Sequence, residues 1–359
     1  MTETQIENYS LWDRLGKERP IVIYGTGNGA DKIIDVLERK GIKPNAIFAS
    51  DGFVRNRAFR GIKVSSYSET VAKFGDDITV VQAFGSDRPD VLNFISELNK
   101  KHDLVIPEVP LYGGDLFEES YYLKNRDRIL KTADLFEDEY SKQLFIDAVN
   151  FRLTGKLRYL NRCEPFDVSV KNLLGGNKVN VIVDGGAFKG DTAKTFLNVF
   201  PEAKTIYAVE PDPRSFSKLS ASTKDSRVLP VNAALSSSKG VALFSSSSSR
   251  GAGISGRSKR SETVPVETTT VNELLSGKRC DLLKLDVEGD EREALNGAKE
   301  SIKEFAPCLV ISLYHRTDDL FDIPRAVIEY NEDYSLYLRR PYCVPMWDLN
   351  LFAVKKGRE

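Results

Sequence analysis

The sequence predicts an α/β protein in which two parallel sheets follow one another along the chain. Short apolar runs that end in turn residues, such as Ile21–Tyr24 and residues 179–183, are typical of buried parallel strands. Amphipathic segments separate these runs, and alternating strands and helices indicate β-α-β units. With 359 residues, the chain is long enough for two domains of ordinary size.

Residues 1–110 are predicted to form a small Rossmann-like domain that carries a glycine-rich turn. Its strands are expected at residues 21–24, 46–49, 62–64, 79–82 and 104–106. The turn GTGNGA places Gly25, Gly27 and Gly29 after the first strand, where a nucleotide could bind, with Ala30 in place of a third glycine. The pattern is compatible with ligand binding and equally with a purely structural turn.

Residues 111–178 are predicted to be a helical connector, and residues 179–359 a second α/β domain. In the connector the strand patterns fade and apolar residues recur at helical spacing. Strands of the second domain are expected at residues 179–183, 205–209, 228–232, 281–286 and 309–313, and one of its helices at about residues 290–304. Residues 335–339 and 350–354 are expected to close the sheet as an antiparallel hairpin at its edge.

Composition narrows the class of protein. The net charge of −1 is not that of a general nucleic-acid binder. The four cysteines lack metal-ligand spacing, so we expect buried free thiols. No apolar run is long enough for a signal peptide or a membrane span, which favours a cytoplasmic protein. Residues 245–261 are rich in Ser and Gly, as in a surface loop or a lid over a substrate.

The first chemical motif lies at the start of the second domain, where a buried strand runs into VDGGAFKGDT. Glycines there let a ligand approach the backbone, and Glu210, at the end of the next strand, is placed to accept hydrogen bonds from ribose hydroxyls. Asp184 and Asp191 flank the turn, which disfavours a pyrophosphate and suits the cationic, phosphate-free S-adenosylmethionine. The predicted cofactor residues in this stretch are Asp184, Gly185, Gly186, Gly190, Asp191 and Thr192.

The second motif is DLLKLDVEG, in which Lys284, Asp286 and Glu288 alternate along one strand face. Their charges indicate either a structural Lys284–Asp286 ion pair or a functional site, since active sites lie at the carboxyl ends of parallel strands. His315 follows the next strand and is expected beside Asp286, as a structural or an active-site histidine. The other histidine, His102, lies among lysines and is expected to be exposed.

Together these motifs resemble the FkbM family of methyltransferases. The resemblance rests on VIVDGGAFKGDT, YAVEPDP, NAALS, DLLKLDVEGDEREALNGA and ISLYHRTDDLFDIP, and extends over residues 135–355. It implies a class I methyltransferase fold, with a seven-stranded sheet whose last strand is antiparallel, and O-methylation of a sugar, glycan precursor or secondary metabolite. It also implies that Asp184, Gly186 and Gly190 line the methionine moiety, that Glu210 binds ribose, and that adenine is flanked by Asn232 and Ala233. The N-terminal domain resembles one that precedes some sugar acyltransferases and serves there in nucleotide-sugar recognition.

For the chemistry we predict that His315 acts as general base, oriented or assisted by Asp286. A rival hypothesis has Asp286, Glu288 and His315 hold a divalent metal that activates the hydroxyl. The alternative function is a nucleotide-sugar-binding or nicotinamide-dependent protein that uses the turn at Gly25–Gly29.

Overall fold

The computed structural model describes residues 5–54, 58–110, 112–246 and 262–357. Most of the Ser/Gly-rich segment 245–261, and with it the choice between loop and lid, lies outside the described residues. Among the helices that the structure describes, none is both long enough and apolar enough to cross a membrane.

The N-terminal region folds around a six-stranded sheet of order β3-β4-β2-β1-β5-β6, in which all pairs are parallel except β3 with β4. Buried apolar side chains on both faces explain why the sheet is covered by helices. The elements are α1 (Leu11–Arg14), β1 (Ile21–Tyr24), α2 (Asn28–Arg39), β2 (Ala46–Ala49), β3 (Ala58–Phe59), β4 (Ile62–Ser66), α3 (Tyr67–Phe74), β5 (Thr79–Gln82), α4 (Pro89–Lys101) and β6 (Asp103–Val105).

Helices follow, as the sequence predicted for the connector. They are α5 (Glu119–Ala133), α6 (Glu139–Thr154), a 3₁₀ helix (Leu157–Leu160) and α7 (Phe166–Leu174). Helix α6 is buried along most of its length, and its buried apolar side chains belong to one core that includes residues of both sheets. The connector therefore packs the two sheets together.

The C-terminal region is built on a seven-stranded sheet of order β15-β16-β14-β13-β7-β8-β9. Only β16 runs against its neighbours, which confirms the predicted antiparallel last strand and edge hairpin. A small sheet of order β10-β12-β11 lies beside it. The elements are β7 (Val181–Gly185), α8 (Asp191–Val199), β8 (Thr205–Val209), α9 (Pro213–Ser222), β9 (Val228–Val231), β10 (Ala234–Leu235), β11 (Gly240–Ser246), β12 (Glu262–Thr269), α10 (Val271–Leu275), β13 (Leu282–Leu285), α11 (Glu291–Asn296), α12 (Lys299–Phe305), β14 (Cys308–Ser312), α13 (Asp319–Tyr330), β15 (Tyr334–Arg339) and β16 (Asn350–Lys355).

Two local predictions were wrong. One long helix was expected at residues 290–304, but the chain forms α11 and α12, which are separated at Gly297, where a Cβ would lie 2.0 Å from Ser236 O. His102 is buried rather than exposed, because its ring nitrogens lie 2.8 Å from the Tyr67 hydroxyl and 2.8 Å from Asp76 O. Three of the four cysteines are buried free thiols, and Cys163 is exposed.

Candidate active site

The glycine turn after β7 lies in the middle of the seven-stranded sheet, between β8 and β13. Gly186 has a φ of +74°, and a Cβ there would lie 1.8 Å from Asp286 O. Gly190, with a φ of +83°, precedes α8 and contributes no side chain to cap it. The turn therefore needs glycine at both positions, and it exposes backbone amides at the carboxyl edge of the sheet.

A buried lysine beneath this turn ties the two central strands together. Lys284 is paired in register with Asp184 on the neighbouring strand, and its Nζ lies 3.2 Å from Asp184 Oδ1. The same nitrogen donates to the carbonyls of Gly185 at 3.1 Å and Gly186 at 3.0 Å, while Asp286 Oδ2 is 3.9 Å away. Burial opposes the charge, but Asp184 and Asp286 together raise the pKa of Lys284. The main ion pair therefore joins Lys284 to Asp184 across two strands. The structural alternative indicated by the sequence was a Lys284–Asp286 pair within one strand.

Glu210 follows β8 and is almost fully buried. Its two carboxylate oxygens accept from the backbone N–H groups of Phe188 at 2.8 Å and Asp212 at 2.9 Å. Burial raises the pKa of Glu210 to about 7, although these two hydrogen bonds act to lower it. Asn232 donates to Glu210 O at 2.8 Å, and Ala233 beside it is buried. The predicted ribose and adenine residues therefore lie together on adjacent strand ends.

Asp286 follows β13 on the other side of the glycine turn. Its Oδ1 accepts from the Ser312 hydroxyl at 2.8 Å and from the Tyr314 hydroxyl at 3.1 Å. Burial acts to raise the pKa of Asp286, but the neighbouring Lys284 and His315 cations and these hydroxyls hold it below its usual range. Asp286 is therefore an ionised carboxylate at the edge of the sheet.

His315 is buried beside Asp286, with its Nε2 atom 3.8 Å from Asp286 Oδ1 and 3.4 Å from Glu288 Oε2. The hydrogen bond that orients the ring is made by another residue, Glu291, whose Oε1 lies 2.8 Å from Nδ1. Burial lowers the pKa of His315, but the Glu291 and Glu288 carboxylates outweigh it and hold this pKa well above 6.5. The surrounding carboxylates therefore favour the imidazolium form of His315.

Glu288 extends the cluster toward the connector. It has a φ of +56°, which is strained for a residue other than glycine, and its carboxylate accepts from the Tyr112 hydroxyl. Tyr112 also packs edge-on against His315, with ring centroids 5.4 Å apart. The connector thus covers the carboxylate cluster at this edge of the sheet.

The cluster could also hold a cation. Asp286, Glu291 and His315 each offer one ligand atom, and these atoms lie within 4.8 Å of one another. A mixed nitrogen and oxygen set of this kind suits a first-row divalent metal. Glu291, rather than the predicted Glu288, is the third member of this set, although Glu288 lies close to it.

The glycine turn of the first sheet and His315 both line a cavity of about 500 Å³. Gly29 is required for packing, since a Cβ there would lie 2.3 Å from Ala83 O, and a Cβ at Gly25 would lie 2.6 Å from the Phe84 ring. A Cβ at Gly27 would meet nothing within 4 Å, and this residue lines the cavity. Packing therefore explains why glycine is required at Gly25 and Gly29, whereas it gives no reason for glycine at Gly27.

Sequence reasoning missed several members of this site. Glu291 lies in the same DVEGDE run as Glu288, but its helical position gave no indication that it points inward to His315. Tyr112 is 176 residues from its partner Glu288, so only the fold could bring the two together. The hydroxyls of Ser312 and Tyr314 could have been suspected, because they share the strand end that precedes His315.

Comparisons with known proteins found one family model and several structures that are similar to this chain. Residues 184–336 match the family model described as "Methyltransferase FkbM domain". The crystal structure of methyltransferase FkbM from Methylobacillus flagellatus KT superposes with a TM-score of 0.70 at 19% identity, covering 96% of this chain and 92% of that chain. Fibrillarin from Aeropyrum pernix, solved with bound S-adenosylmethionine, gives a TM-score of 0.33 at 15% identity over 52% of this chain and 73% of its own. The search of curated proteins found no match.

The seven-stranded sheet and the family match define the class of protein. The protein is an S-adenosylmethionine-dependent methyltransferase with a class I fold. Within that class, residues 184–336 match the FkbM methyltransferase domain, and a separate α/β sheet precedes them. The resemblance of the first domain to those of sugar acyltransferases stays a prediction.

Proposed function

We propose that this methyltransferase transfers the methyl group to a hydroxyl oxygen of a sugar, glycan precursor or secondary metabolite. The observation that carries the proposal is the position of the Asp286 carboxylate and the His315 imidazole, side by side and next to the Gly186 turn. An alcohol must lose its proton as it attacks carbon, so an O-methyltransferase requires a proton acceptor beside the methyl donor.

The cofactor is proposed to bind along the carboxyl ends of β7, β8 and β9. The amides around Gly186 and Gly190, with Asp184, Gly185, Asp191 and Thr192, would hold the methionine end of S-adenosylmethionine. Glu210 would accept hydrogen bonds from the ribose hydroxyls, and Asn232 and Ala233 would flank the adenine. Support comes from the burial of Glu210 and from the positive φ values of Gly186 and Gly190.

S-adenosylmethionine, when bound, would supply an electrophilic methyl group and would keep the electron pair of the broken carbon–sulfur bond as a neutral thioether. The acceptor oxygen would form the new bond to the methyl carbon and lose its proton. The proton of the hydroxyl passes to His315 Nε2, which has no hydrogen-bond partner among the described residues. His315 must first be neutral, so Glu291, which holds its Nδ1, and the nearby Asp286 control when it can act.

A divalent metal held by Asp286, Glu291 and His315 would give a second version of the same function, favoured by the proximity of their ligand atoms. The metal would lower the pKa of a bound hydroxyl, and His315 would then be a ligand rather than a base. Turnover that persists in excess chelator would exclude this version, and turnover restored only by added Mg²⁺ or Mn²⁺ would establish it.

The proposed function can be tested with cofactor labelled in its methyl group. The full chain would be incubated with a panel of glycosides, phenols, carboxylates and amines, and the labelled product located by mass spectrometry and NMR. We expect label on a hydroxyl oxygen, and we expect His315→Gln to bind cofactor but lose turnover. Label found only on nitrogen or on a carboxylate would contradict the proposal.

A further inference from the structure

The cavity of about 500 Å³ between the two sheets has walls from both halves of the chain. Tyr314 and His315 line it at the catalytic edge, while Gly27, Asn28 and Gln82 line it on the side of the first sheet. Its volume lies in the range of sites that enclose a ligand of several rings, and it exceeds the needs of one small alcohol. The first sheet is therefore placed to contact whatever molecule reaches His315.

The cavity contains an unmet hydrogen-bond acceptor. Gln82 is 1% exposed and lines the cavity, and its Nε2 donates to Phe84 O at 3.0 Å. Its Oε1 is buried and has no donor among the residues that the structure describes. An amide oxygen left without a donor in the interior is destabilising, so a ligand that supplies a donor would bind more tightly.

Backbone donors lie on the same side of the cavity. The 12-residue helix α2 begins there, and its N-cap residue Gly27 has no side chain that could accept from the first amides. A bound group that both donates to Gln82 Oε1 and accepts from these amides satisfies both features. A hydroxyl has this dual capacity, whereas a phosphate dianion can only accept.

The remaining walls fit the rings that would carry such hydroxyls. Phe84, Phe117 and Trp347 present aromatic surfaces to the cavity, and Trp347 is held over Gly85, where a Cβ would lie 2.1 Å from its ring. The three arginines in the lining are all paired: Arg88 lies 2.7 Å from Asp90, Arg152 lies 3.1 Å from Glu108, and Arg316 lies 3.7 Å from Asp290. Aromatic planes with paired charges favour a neutral, polyhydroxylated ring over an anion.

We infer that this cavity is the acceptor site and that the first sheet, through Gln82 and the Gly27 turn, binds a neutral glycosyl ring of the acceptor distal to the methylated hydroxyl. The inference rests on the proposed function and adds a substrate class to it: a glycoside that spans both sheets. In this inference the N-terminal domain helps to select the acceptor but takes no part in the methyl transfer.

The test uses the full chain, labelled with a fluorophore and saturated with S-adenosylhomocysteine, on an array of neutral and phosphorylated mono- to tetrasaccharides. Gln82→Leu removes the unmet acceptor, and Gly27→Val fills the cavity at a position where the protein itself leaves room. Gly176→Val is the matched control, because a Cβ at this glycine also meets nothing within 4 Å and the residue does not line the cavity.

We expect the wild type and Gly176→Val to be retained by a subset of neutral glycans, and both cavity variants to bind them about tenfold or more weakly, as loss of one net hydrogen bond implies. No retention on any glycan, retention on phosphorylated glycans alone, or retention unchanged in both cavity variants would overturn the inference. Calorimetry of S-adenosylmethionine on the same proteins separates the two claims. Absence of cofactor binding to the wild type contradicts the proposed function, whereas normal cofactor binding without glycan retention contradicts only the glycosyl site.

Discussion

The Lys284 ammonium and the Asp184 carboxylate lie 3.2 Å apart at paired register positions of two central strands, and both side chains are almost fully buried. Because the same ammonium donates to the carbonyls of Gly185 and Gly186, one charge fixes both the strand pair and the glycine turn. The stability of the sheet and the shape of the proposed cofactor site therefore depend on the same contact.

Replacing this lysine should destabilise the protein. Lys284→Met leaves the Asp184 carboxylate buried without its main counter-ion, and we expect the free energy of unfolding to fall by about 3–5 kcal/mol. Urea denaturation followed by circular dichroism measures this change. The double variant Lys284→Met/Asp184→Asn should recover part of the loss, since no buried charge is then left alone; equal stability of the single and double variants would argue against the pair.

The glycine turn should tolerate no side chain. Gly186→Ala would place a Cβ 1.8 Å from Asp286 O at a φ of +74°, so the turn must move away from β13. We expect a less stable protein whose affinity for S-adenosylmethionine falls by about tenfold or more, as a displaced turn loses one or more backbone hydrogen bonds. Gly176→Ala, in open space, is the control and should match the wild type in melting temperature and cofactor titration.

Cofactor affinity should depend on pH through Glu210. The pKa of this carboxyl is raised to about 7, so it is mostly protonated below that pH and ionised above it. Only the carboxylate can accept from both ribose hydroxyls, so affinity should fall as pH falls, by roughly tenfold for each unit below the pKa. Glu210→Gln should bind more weakly at pH 8 and show a flat profile between pH 6 and 8. A wild-type profile that is also flat would remove Glu210 from this role.

The pH dependence of kcat/KM should reflect the protonation state of His315. As proposed general base it must be neutral, and because its pKa is raised well above 6.5, kcat/KM should rise with pH through that raised value. Glu291→Gln removes a carboxylate that raises this pKa, so the rise of kcat/KM should occur at lower pH in this variant. Glu293→Gln changes an exposed position on the same helix and should leave the pH of that rise unchanged. If the rise occurs at the same pH in Glu291→Gln as in the wild type, it reports the titration of another group.

The sequence predicted the architecture because its signals are local. Buried apolar runs and the glycine turn at Gly186 each act within a few residues, and the structure contains both. Because active sites lie at the carboxyl ends of parallel strands, Asp286 and His315 were expected side by side at the ends of neighbouring strands. In the structure the two side chains lie 3.8 Å apart.

What the sequence could not reveal depends on tertiary packing. The residue that orients His315, the burial of His102 and the cover that Tyr112 forms over Glu288 arise from segments far apart in the chain or from a helix rotation that no pattern encodes. The cavity between the sheets is of the same kind, since it exists only because the connector packs the two sheets together.

Calorimetric titration of S-adenosylmethionine into the full chain tests the central claim, that the second sheet holds the methyl donor at Glu210. The wild type should bind with an affinity on the order of micromolar. Glu210→Ala should weaken binding by about a hundredfold, since two charge-assisted hydrogen bonds are lost. Glu202→Ala, which changes an exposed glutamate just before the same strand, should bind like the wild type. Absence of binding to the wild type, or equal binding by Glu210→Ala, would contradict the account.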